Sequence, residues 1–120
     1  MINSNSLVTE IKERFPSFQV DPQFEDLITV IGGDMCDYIE ANIHGEPSIS
    51  QKIVQFVDEV VEASRIDTKL ESFLSEIILG LYDLRDKSKY NLLREQLSPS
   101  SQQYFDHSVS IWIEGNSKRR

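Results

Sequence analysis

Thr68-Lys69-Leu70-Glu71-Ser72-Phe73-Leu74-Ser75-Glu76-Ile77-Ile78-Leu79-Gly80-Leu81-Tyr82 is the stretch that decides the fold. Leu70, Phe73, Leu74, Ile77, Ile78, Leu81 and Tyr82 recur at steps of three and four, the period of one helix face. Thr68-x-x-Glu71 reads as a capping box that opens this helix. A run this apolar needs cover on its whole stripe, so it is expected to be the central core helix. Working outward, every other periodic segment also reads as a helix, and none reads as a strand.

Towards the N-terminus, Ile49, Ile53, Phe56, Val57, Val60 and Val61 mark a helix over about Ile49–Ser64, opened by the capping box Ser48-Ile49-Ser50-Gln51. Its valines lower helix propensity, so it depends on packing. A further helix over about Asp34–Ile43 buries Met35, Tyr38 and Ile39 and ends at Gly45. Asp21-Pro22 reads as a helix start with Phe24, Leu27, Ile28 and Ile31 inward. Gly32-Gly33 is expected to break or kink that helix, because two glycines cost a helix interior about 2 kcal/mol against alanine. The first helix, about Leu7–Phe15, carries Leu7, Val8, Ile11 and Phe15 and stops at Pro16.

Towards the C-terminus, a short helix is expected near Tyr90–Leu97. Ser98-Pro99 caps a last helix bearing Tyr104, Phe105, Val109, Trp112 and Ile113, with Gly115 as its end. The expectation is an all-α fold: one domain over residues 1–120, a compact bundle of about five to six short helices, with 1–5 and 116–120 frayed.

Charge is distributed unevenly along this frame. Between Asp21 and Glu62 there are ten acidic residues and one base, Lys52, a net of −9 within a chain whose total is −8. Residues 1–20 sum to 0 and residues 63–120 to +1. A one-sided acidic field attracts basic partners and repels nucleic acid and anionic membrane. On the expected helices Asp34, Asp37 and Glu40 step along one stripe, and Asp58, Glu59 and Glu62 lie opposite the valines. Like charges at that spacing destabilise a helix by a few tenths of a kcal/mol per pair. Two readings fit: a solvated face that confers solubility, or an electrostatic docking face with Tyr38 as a buried anchor.

Chemistry finds little support. There are two histidines and one cysteine, no Glu-x-x-His pair, no His-Glu-x-x-His and no calcium loop. Cys36 and His44 are eight residues apart on one helix, about two turns, too far to hydrogen bond directly. Phosphate-binding and nucleophile-elbow motifs are absent. The expectation is no enzyme, no cofactor and no metal. A single cysteine allows no internal disulfide, and no run approaches the length of a membrane span, so a cytoplasmic location is expected.

Phe15-Pro16-Ser17-Phe18, the apolar helix Leu70–Leu84 and Leu97-Ser98-Pro99-Ser100-Ser101 before Tyr104-Phe105 resemble the punctuation of a group of small bacterial all-helical proteins. In size, acidity and helicity the chain also resembles cytoplasmic immunity proteins of contact-dependent and polymorphic toxin systems, a group united by role. The resemblance implies a binding protein that masks the cationic surface of a basic toxin domain, often a nuclease. The expected partner-binding residues, taken from the charge pattern, are Asp34, Asp37, Tyr38, Glu40, Asp58, Glu59 and Glu62. A helical adaptor that binds a host protein through an apolar groove is the alternative, and homodimerisation through Trp112 or the valine-rich helix is compatible with either.

Overall fold

A computed structural model describes residues 2–118. It is an all-α bundle: α1 (Leu7–Arg14), a 3-10 turn (Pro22–Phe24), α2 (Ile28–Asn42), α3 (Pro47–Ser64), α4 (Leu70–Tyr82), α5 (Ser88–Gln96) and α6 (Pro99–Lys118). The centre is α4, which packs on α2, α3, α5 and α6. Its apolar stripe, Leu70 to Leu81, is fully buried, as its periodicity required.

α1 closes one end. Leu7, Ile11 and Phe15 are buried, and the Phe15 ring meets Tyr38 of α2 at 5.5 Å and Phe56 of α3 at 5.6 Å, both edge to face. Edge-to-face pairs of this kind add about 0.5–1.5 kcal/mol beyond burial. Phe15 is therefore a wedge between α2 and α3.

Several expectations are corrected. No helix starts at Asp21: a single 3-10 turn follows it, Leu27 is exposed and Phe24 only half-buried. α2 begins at Ile28 and runs unbroken through Gly32-Gly33. Gly32 is kept because α4 lies against it: an added Cβ there would fall 2.8 Å from Glu76 Cβ and 2.9 Å from the Phe73 carbonyl oxygen. Gly80 returns the fit, since its Cβ would fall 2.7 Å from Cys36 Sγ. Contacts that pair 32 with 73 and 76, and 36 with 80, advance together, so α2 and α4 run in the same direction. Their close approach offsets the propensity cost of the glycines.

The two expected capping boxes do not form. α3 starts earlier, with Pro47 in its first turn, where the fixed φ of proline is already helical. At α4 the side-chain acceptor is Asp67 rather than Thr68: its Oδ1 accepts from the Lys69 amide at 3.2 Å and its Oδ2 from the Ser4 amide at 2.7 Å. That second bond ties down the N-terminal segment, and Ile2 is buried, so residues 2–5 are not frayed. α6 does open at Ser98, whose Oγ accepts from the Ser101 amide at 3.3 Å. It does not stop at Gly115 but continues to Lys118; residues 119–120 lie outside the described residues. Tyr104 and Trp112 are half-buried and Ile113 is exposed, so only Phe105 and Val109 of the expected α6 stripe are full core.

Candidate binding surface

The seven residues singled out by charge fall on α2 and α3, and the fold separates them into two places. Asp58, Glu59 and Glu62 of α3 border a cleft with Ile2, Glu10, Arg14 and Ser98. Asp34, Asp37 and Tyr38 of α2 border a different groove, whose other wall is Ser17–Pro22. The end of α1, with Arg14 and Phe15, stands between them.

The α3 carboxylates are engaged by the protein itself. Asp58 Oδ1 accepts from the Ser98 amide at 3.1 Å and the Ser101 hydroxyl at 2.6 Å, a second cap on α6. Glu59 pairs with Arg14, which also bonds Glu10 at 3.1 Å. The two glutamates hold the Arg14 guanidinium above its ordinary pKa, with the Glu59 hydrogen bond the largest cause. Glu62 accepts from Ser100 Oγ at 3.2 Å and lies 3.5 Å from Arg65. This half of the acidic block fastens α1 and α6 to α3.

The α2 carboxylates differ. Asp34 and Asp37 are exposed and form no ion pair or side-chain hydrogen bond among the described residues. Glu40, half-buried, reaches Lys89 of α5 only at 4.0 Å. Tyr38 is half-buried, its ring edge-on to Phe15 and Phe18 and its hydroxyl 3.0 Å from Ser17 Oγ. Tyr38 is thus part of the packing, with one side left on the groove. The groove encloses about 860 Å3 and has Asp21, Asp34 and Asp37 on its rim and no lysine or arginine in its lining.

The remaining polar candidates are chemically quiet. Cys36 is buried against Gly80, and burial, followed by Asp37, Glu40 and Glu76, pushes its thiol up to about 11. A thiol held that high is protonated at neutral pH and a poor nucleophile. His44 and His107 are exposed. Among the described residues no three His, Cys, Asp or Glu side chains converge as metal ligands, and no described helix is long and apolar enough to cross a membrane.

Sequence reasoning missed one local feature, the groove wall Gln19–Val20. The only signal was negative: Ser17–Asp21 falls between two periodic runs and has no periodicity of its own. Comparison with protein families, with curated proteins and with solved structures finds no match to this chain.

Proposed function

We propose that this protein is a non-catalytic, cytoplasmic binding protein of the immunity type, which docks the acidic face of α2 on a basic protein, a toxin domain whose cationic active-site surface it masks. One observation carries the reading: Asp34 and Asp37 are exposed and unengaged among the described residues, beside a groove that no base lines. Carboxylates that neither cap a helix nor pair with a local base leave their field available to a partner. They would take the place of substrate phosphates in a cationic cleft. Attraction of this kind speeds association and weakens as salt rises, because screening acts over about 8 Å at physiological ionic strength.

The test is affinity capture at low salt with elution along a salt gradient, run in parallel with wild-type protein and with Asp34→Lys/Asp37→Lys. A basic protein eluting as salt rises, and absent from the variant's eluate, is the expected result. Equal capture by both would remove α2 as the docking face.

A second reading, an adaptor that binds through apolar surface, is favoured by the far end of α6. There Ile111 is 56% and Ile113 44% exposed, and a groove of about 640 Å3 runs between Tyr82, Tyr90, Val109 and Ile113. A partner or second copy held there would persist at high salt and ignore the α2 substitutions.

A further inference from the structure

The groove beside α2 says more about the partner than its charge sign. We propose that it receives an extended segment of the partner bearing arginine or lysine side chains; this rests on the reading of α2 as the docking face.

The two walls of the groove are chemically different. One is helical and carries Asp34 and Asp37 at successive turns. The other is the irregular segment Phe18–Asp21, whose Gln19 and Val20 backbone N–H and C=O groups make no hydrogen bond to any described residue. Helical backbone is satisfied internally, but an irregular wall offers donors and acceptors outward. An extended peptide can use them as it uses a sheet edge, with main-chain bonds along one side and alternate side chains directed to pockets.

The floor is aromatic: Phe18 is buried and Tyr38 half-buried, and both are locked edge to face at 5.4 Å. A guanidinium is weakly hydrated and stacks on such rings while its N–H groups reach a carboxylate. Asp21, Asp34 and Asp37 supply carboxylates on the rim. The other acid-lined clefts already contain the protein's own cations: Arg14 lies between Glu10 and Glu59, and Lys12 lies 2.6 Å from Glu25. In both, a basic side chain set between carboxylates on different elements is the solution this fold itself uses. Beside α2 that position is open to a partner's side chain, and charge complementarity selects a basic occupant.

The test is an amide-resolved NMR titration of the full chain with a short peptide alternating arginine with valine, and with its glutamate counterpart. The expected result is that the arginine peptide shifts the Gln19 and Val20 amides together with those of Asp34 and Asp37, while the glutamate peptide shifts none of them. Asp34→Asn/Asp37→Asn should weaken arginine-peptide binding about tenfold at low salt, as loss of two exposed ion pairs would. Glu71→Gln/Glu95→Gln, which removes as much charge elsewhere, should leave it unchanged. Shifts spread over all acidic surfaces, or equal weakening by both double variants, would overturn the proposal. If a basic protein captured through Asp34 and Asp37 leaves the Gln19 and Val20 amides unshifted, the docking face stands and the extended-segment inference falls.

Discussion

At the residue scale, the acids of this chain look alike in sequence and do unlike work. Asp58 was legible as an exposed charge opposite a valine stripe; the structure makes it a cap shared by Ser98 and Ser101. Asp58→Ala should therefore destabilise the fold by about 1–2 kcal/mol, the range for losing a side-chain cap, as a lower urea midpoint. Removing Asp34, which bonds nothing described, should leave that midpoint unchanged within about 0.5 kcal/mol. Gly80 carries a second residue-scale prediction. Gly80→Ala brings a Cβ to 2.7 Å from Cys36 Sγ and should cost about 1 kcal/mol or more by overpacking. Cys36→Ala removes the sulfur and leaves 3.6 Å to the cysteine Cβ. In that background Gly80→Ala should be neutral or stabilising, and a double-mutant cycle in urea measures the coupling.

At the element scale, helix existence and type were legible for the strongly periodic segments, α1, α3, α4 and α6. Helix ends were less so. Gly32-Gly33 shows why. Intrinsic propensity argues for a break there, but propensity differences are about 1 kcal/mol per glycine, and contact along the whole of α4 outweighs them. The two glycines then separate cleanly. Nothing lies within 4 Å of a Cβ added at Gly33, so Gly33→Ala should stabilise by up to about 1 kcal/mol. Gly32→Ala should destabilise despite the same propensity gain, because backbone and the root of Glu76 block its Cβ. Thermal unfolding of the two single variants checks the opposite signs. The lost capping boxes have a related cause: Pro47 starts α3 before Ser48 can cap it, and Asp67 binds the Lys69 and Ser4 amides at the start of α4.

At the scale of the whole molecule, acid stability depends on carboxylates that the fold holds below their ordinary value of 3.8: Asp67 chiefly by the Ser4 amide, Asp86 by the Ser88 amide and Asp106 by hydrogen bonds from Arg94. A depressed folded-state pKa favours the charged form in the native protein. Its contribution is present above the unfolded value and is lost as pH falls through the folded one. Asp106 makes a two-pronged pair with Arg94 at 2.7 Å to each nitrogen, linking α6 to α5 at an exposed site. Asp106→Asn should lower stability by about 0.5 kcal/mol at pH 7 and by nothing well below the folded pKa, where both side chains are neutral. Urea midpoints at pH 7 and about pH 2 test the difference.

The sequence by itself determined that this chain is all-α, that Leu70–Tyr82 is its centre and that negative charge concentrates between Asp21 and Glu62. Those follow from periodicity and composition, which are local quantities. Tertiary structure alone decided which carboxylates serve the fold and which face outward. It also decided that α2 runs through its glycines and that Gln19–Val20 forms a groove wall. The physical reason is the same in each case: a carboxylate's role is set by the donor that reaches it, and those donors come from segments far along the chain. Arg14 reaches Glu59, Ser98 reaches Asp58 and Ser4 reaches Asp67 only after the helices have packed.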